Sequence, residues 1–143
     1  MSFVRNAWYV AGWAKEIDGQ LRSVRILGED LVIFRTSGGQ VAVLQDRCPH
    51  KLLPLSKGRL ISDEIECGYH GSLFGADGKR TRIPGQPRVP PTACLRAYPV
   101  HERHDIVWVW MGDPKEADVN KVFDLPQLGD PEWDTHQGDT LYI

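Results

Sequence analysis

Cys48-Pro49-His50, followed after sixteen intervening residues by Cys67-Gly68-Tyr69-His70, is the stretch that governs the reading of this chain. The spacing, C-x-H-x16-C-x2-H, sets one thiol and one imidazole in each of two loops. Two soft and two borderline donors converging in this way hold a metal centre. Zinc ribbons and fingers open with two cysteines a few residues apart, and neither half does so here. The mixed pairing points away from zinc.

Short apolar segments lead up to the first loop. Phe3–Val10 mixes β-branched and aromatic residues and reads as an early strand or edge segment. Val24–Leu27 and Leu31–Arg35 read as strands separated by a turn-like break at Gly28-Glu29-Asp30. Val41–Leu44 follows Ser37-Gly38-Gly39-Gln40, where two glycines supply the positive φ of a tight hairpin. Between the two ligand pairs, Arg59–Glu66 reads as an extended segment, a turn at Ser62-Asp63 and a strand entering Cys67. Each ligand loop is therefore expected at the tip of a strand pair.

Downstream, Asp77-Gly78 is a hairpin signal after Leu73-Phe74-Gly75. Ile83–Pro91 carries four prolines in nine residues, which excludes a central strand or a helix and predicts a rigid loop. Cys94–Val100 and Asp105–Met111 return to strand character. Ile106, Trp108 and Trp110 fall on one face, and Val107 and Val109 on the other, so this strand is covered on both sides. Residues 115–132 are polar and proline-broken, with at most one helical turn near Pro114–Val119. Thr140–Ile143 starts another strand. The fold class is all-β: short antiparallel strands in two or three small sheets.

Composition bounds the function classes. At 143 residues with net charge −2, the chain is long enough to bury its own core and has no basic block for nucleic acid or an anionic membrane. No apolar run reaches signal-peptide or transmembrane length. With two of three cysteines in the metal motif, no disulfide framework is possible. These features predict a cytoplasmic protein.

The loops and their flanks, CPHKLLPLSKG and CGYHGSLF, resemble Rieske proteins, in which two His replace two Cys on one iron of a [2Fe–2S] cluster. The likeness extends to FVRNAWYVAG (3–12), DRCPHKLLPLSKGRL (46–60), ECGYHG (66–71) and IVWVWMGDPKEAD (106–118). These stretches resemble the N-terminal domain of Rieske non-haem iron oxygenases of the vanillate and dicamba O-demethylase type. Two positions depart from that family: Lys51-Leu52 stands where Arg-Gly or a similar small pair is common, and Ser72 where Trp is frequent.

The resemblance implies that Cys48 and Cys67 bind one iron and His50 and His70 the other. Mixed ligation places the potential at roughly −150 to +300 mV, against about −400 mV for an all-cysteine cluster. Respiratory-chain Rieske proteins add a cysteine to each loop and join them; Leu53 and Tyr69 occupy those places here, which implies the low-potential class. Backbone N–H groups of Lys51–Leu53 and Gly71–Leu73 are the expected donors to the cluster sulfurs. The side chains of Leu52 and Leu53 are expected to shield the cluster. The resemblance also implies a potential that falls with pH at high pH, and a proline-rich loop, 84–91, that covers the cluster.

By the same resemblance, residues 1–112 are the Rieske domain, and 113–143 a connector and first strand leading toward a catalytic domain absent from the chain. That domain would carry a mononuclear Fe(II) held by two His and one carboxylate, and the only histidine after His104 is His136. The chain alone would only pass on one electron, for a demethylase or hydroxylase of an aromatic acid. A ferredoxin or a flavin/iron–sulfur reductase is the implied donor, and a homotrimer the implied assembly of the full-length protein. A free-standing Rieske ferredoxin and a structural zinc module are the competing readings. Elsewhere, His101 and His104 read as solvated turn residues, Cys94 as a buried inert thiol, and Trp8, Trp13, Trp108 and Trp110 as core. Lys51, Lys57 and Arg59 could steer an acidic partner or serve solubility.

Overall fold

The computed structural model describes residues 2–138. Ten short strands form three antiparallel sheets among these residues, and no α-helix is present among them. Strands β1 (Ala7–Trp13), β9 (Val100–Arg103) and β10 (Ile106–Met111) form one sheet in the order β1-β10-β9. Strands β2 (Arg22–Ile26), β3 (Glu29–Arg35) and β4 (Val41–Gln45) form the second, in sequence order. The third runs β5 (Arg59–Ile61), β6 (Glu64–Glu66), β7 (Leu73–Phe74), β8 (Arg80–Arg82). The expectation of an all-β fold with two or three small antiparallel sheets holds.

Period-two patterning explains the stacking. On β3, Val32 and Phe34 enter the same core as Cys48, Cys67, Ile65 and Phe74. Leu31 and Ile33, from the other face, enter a second core with Val107, Val109 and Met111 of β10. Strand β4 divides in the same way, Ala42 and Leu44 against Val43. The β2–β4 sheet is therefore a middle layer with apolar cover on both faces. This accounts for the unbroken run Leu31–Phe34. On β10, Ile106 and Trp108 turn away from Val107 and Val109 into a third cluster with Val122, Trp8 and Trp13.

Three hairpin turns carry positive φ at both central residues: Leu27-Gly28 (51°, 77°), Ser62-Asp63 (48°, 66°) and His104-Asp105 (57°, 60°). Such turns match the right-handed twist of the flanking strands. The break expected at Gly28–Asp30 sits one residue earlier, because Glu29 and Asp30 pair with Ile26 and Arg25. The strand expected over Cys94–Val100 begins only at Val100. Its N-terminal part crosses between sheets. Leu95 N–H bonds the Gly78 carbonyl, Gln45 N–H the Arg96 carbonyl, and Tyr98 N–H the Val43 carbonyl. Cys94 and Ala97 make only isolated bridges, to Lys79 and Leu44.

Beyond β10 the chain forms two 3-10 turns, Pro114–Glu116 and Val119–Lys121, where at most one helical turn was expected. Asp113 and Asp118 cap them by accepting from the N–H of Lys115 and Asn120. Val122, Leu125 and Leu128 then fold back over Ile106 and Trp108. The strand expected at Thr140–Ile143 lies outside the described residues.

Candidate metal centre

The first ligand loop leaves β4 and enters β5, so it crosses from one sheet to another rather than capping a hairpin. The second does cap one, because β6 and β7 pair through Ile65 with Phe74 and Glu66 with Leu73. The expectation of two hairpin tips is corrected for the first loop. Despite different mounts, the loops share one turn. Cys48 N–H donates to the Leu53 carbonyl (2.9 Å) and Leu52 N–H to the Cys48 carbonyl (2.8 Å). Cys67 N–H donates to the Ser72 carbonyl (2.8 Å) and Gly71 N–H to the Cys67 carbonyl (3.0 Å). The fourth residue after each Cys is left-handed: Leu52 at φ 60° and Gly71 at φ 72°. Gly71 adopts this at no steric cost, whereas Leu52 spends about 1–2 kcal/mol on it.

Both turns deliver their sulfurs inward. Cys48 and Cys67 are 2% and 3% exposed, walled by Val32, Phe34, Leu44, Leu55, Ile65 and Phe74. Burial pushes the Cys48 thiol above its ordinary range, with the adjacent Cys67 side chain adding to the rise; N–H groups of His50 and Lys51 act against it. A buried thiol pair of this kind loses its protons to a bound cation, which compensates the charge. At Cys48 the N–H groups beside the sulfur are those of His50 and Lys51, while the N–H of Leu52 and Gly71 serve the turns.

The imidazoles face out. His50 and His70 are exposed, with Nδ1 atoms 2.9 Å apart and ring centroids at 4.7 Å. Nitrogens bound to one metal at about 2.1 Å lie roughly 3 Å apart, and the two Nδ1 atoms already show that separation. Tyr69 stacks on His70 at 3.9 Å. Among the described residues no three His, Cys, Asp or Glu side chains converge where a single ion could sit. A dry thiol pair and a wet imidazole pair suit a binuclear centre with unlike ends.

Asp46, two residues ahead of Cys48, fixes the first loop. It is buried and accepts from Ser56 N–H (2.7 Å) and Ser56 Oγ–H (2.6 Å). Asp46 and Ser56 were not singled out from sequence; a carboxylate in the apolar run ahead of the motif was the available signal. Asp46→Ala leaves the part-buried Ser56 N–H and hydroxyl without their acceptor, so about 2 kcal/mol of stability is lost. A melt followed by circular dichroism should shift down by roughly 7 °C. A shift under 2 °C would show that the loop holds without the clamp.

The remaining candidates sort clearly. Cys94 is exposed, which corrects its reading as a buried thiol; Leu95 takes the inward place. His104 is not solvated. Its Nε2 lies 2.9 Å from Asp124 Oδ1 and 3.1 Å from Leu125 N, pinning the segment that folds back. Trp8 meets Trp110 edge-on at 5.4 Å, and neither shares the core that holds the cysteines. Pro84 lies beside Gly71, so the proline-rich loop begins against the second ligand loop, though residues 85–88 are exposed. Leu53 packs on the cysteine core, whereas Leu52 is 54% exposed. Arg59 is paired with Glu66 at 2.7 Å.

Residues 7–99 match the family model described as Rieske [2Fe-2S] domain. The iron–sulfur subunit of the toluene-4-sulfonate monooxygenase system of Comamonas testosteroni is 42% identical over 92% of this chain and 38% of its own. The crystal structure of apo dicamba monooxygenase superposes with a TM-score of 0.87 at 38% identity, covering 92% of this chain and 41% of that one. The reduced complex between oxygenase and ferredoxin in carbazole 1,9a-dioxygenase gives 0.76 at 30% identity, over 88% and 34%. The chain spans about two fifths of the length of the curated relatives it matches. No helix among the described residues is long and apolar enough to cross a membrane.

Proposed function

This chain belongs to the Rieske [2Fe–2S] domain family, and from that premise we propose that Cys48 and Cys67 hold one iron of the cluster and His50 and His70 the other. The observation that carries the assignment is the pairing of donors: two buried sulfurs side by side, and two exposed rings with their Nδ1 atoms 2.9 Å apart. When bound, a cluster of this type takes up and returns one electron. The cysteines give up their protons and hold their end from the dry side. The apolar wall around them excludes water, and the N–H groups of His50 and Lys51 stabilise negative charge on Cys48. The imidazoles bind neutral and leave their outer edges at the surface, where electrons enter and leave.

The likeness to oxygenase components supports a wider role. The chain is the electron-input domain of an oxygenase acting on an aromatic acid, residues 1–112 forming the cluster domain and 113–143 the connector to a catalytic domain. A ferredoxin or a flavin/iron–sulfur reductase supplies the electron. In the full-length protein, a homotrimer by the same resemblance, His70 would face a mononuclear Fe(II) held by two His and one carboxylate of the neighbouring subunit. The protein works in the cytoplasm. The pairing of donors also favours this centre over a tetrahedral zinc site, which needs four ligands around one ion.

Purified chain with the cluster assembled anaerobically should hold two irons and two acid-labile sulfides, and show visible charge-transfer absorption that bleaches on one-electron reduction. A colourless protein carrying one zinc and no sulfide would sink the reading.

A further inference from the structure

Strand β8 presents an arginine on the inner face of its sheet. Arg80 pairs with Phe74 where the β7–β8 register shifts, and the placement of its side chain is fixed by its contact with the Phe74 ring. Phe74 is fully buried in the core that holds Cys48 and Cys67, so the Arg80 guanidinium lies on the core side, 5.6 Å from the Phe74 ring centre. Lys79 and Thr81, its neighbours, are exposed. A charge in an apolar layer loses hydration and needs partners there.

The partners are few. Arg80 Nη2 donates to Ser72 Oγ, and Arg80 Nε–H is buried with no acceptor. No carboxylate pairs with Arg80 among the described residues. Ser72 is itself buried, stands two residues after His70, and accepts Cys67 N–H through its carbonyl. One uncompensated positive charge is thus wired, through one hydroxyl, to the backbone of the second ligand loop.

Resting on the cluster reading above, we propose that Arg80, acting through Ser72, is a positioning residue that sets the reduction potential of this centre. One-electron reduction adds one negative charge to the site, taken from a donor of the ferredoxin or flavoprotein class. A fixed cation in a poorly hydrated layer stabilises that added charge more than a surface cation does. Arg80 therefore favours the reduced state, and its partial lack of partners leaves its charge available for that purpose. Arg82, exposed two residues along the same strand, has no such effect.

Midpoint potentials of the cluster-loaded chain, measured by dye-mediated titration with dithionite, test this. In Arg80→Gln the reduced-to-oxidised ratio at the wild-type midpoint should fall about tenfold, equivalent to about 59 mV for a one-electron couple. Arg80→Lys keeps the charge and should stay within threefold, and Arg82→Gln should match wild type. If the Gln variant does not fold, Ser72→Ala reports instead, with a fall of at least threefold expected. A folded, coloured Arg80→Gln protein within twofold of wild type overturns the proposal, as does an equal fall in the Lys and Gln variants. A colourless wild type would overturn the cluster reading itself, whereas a coloured wild type with unmoved variants removes only the role of Arg80.

Discussion

Cys67→Ser should leave less than about a tenth of chains with a cluster, because a serine hydroxyl does not ionise near neutral pH and is a poor ligand for iron. The substituted position is buried beside Cys48, so the variant also keeps an unpaired hydroxyl and a protonated thiol in the apolar core. Both effects act in one direction. Iron and sulfide content should collapse together with the visible absorption, and the melting temperature should fall to that of the cluster-free wild type or below. Cys94→Ser is the internal control. Its thiol is exposed and outside the cysteine core, so cluster content and stability should not change. Retained colour in Cys67→Ser, or loss of colour in Cys94→Ser, would reassign the ligands.

Gly58→Ala should be nearly as damaging without touching a ligand. A Cβ built on Gly58 falls 2.0 Å from the Glu66 carbonyl oxygen and 3.1 Å from that of Leu55. Both obstacles are backbone, so no rotamer change relieves the clash. Gly68, beside Cys67, meets the same place from the other side, its missing Cβ 3.8 Å from the Gly58 Cα. The two ligand loops touch through these glycines. A methyl group there must force them apart, and overpacking of this severity costs about 3 kcal/mol, which lowers the melting temperature by roughly 10 °C. The separation also moves the Cys48–His50 pair relative to Cys67–His70, so iron should be released to a chelator several-fold faster. A variant with wild-type stability and iron retention would show that the hairpin slides without cost.

Much of this architecture could be read from the chain because it depends on local rules. The four candidate ligands stand out by their spacing, and Ile106–Trp110 shows a two-sided strand through its alternation. What could not be read depends on contacts remote in sequence. Leucine at position 27 gives no warning of a left-handed turn, which the pairing of Ile26 with Glu29 imposes. Cys94 looks like a strand thiol, but its segment crosses between sheets and turns Leu95 inward instead. His104 looks like a surface residue until Asp124 and Leu125, about twenty positions on, fold back onto it. Arg80 carries no motif, and only the burial of its Nε reveals it.

The pairing of Ala7–Trp13 with Ile106–Met111 has a kinetic consequence. It joins two segments far apart in sequence, and the chain between them must be reeled in before it can form. The hairpins that lead into and out of the Cys67–His70 loop pair across far shorter spans, Ile61 with Glu64 and Ile65 with Phe74. Contacts close in sequence form faster than those that close long loops. The nascent chain can thus shape the hairpin that holds Cys67 and His70 while the Ala7–Trp13 and Ile106–Met111 segments are still apart, and their pairing closes last.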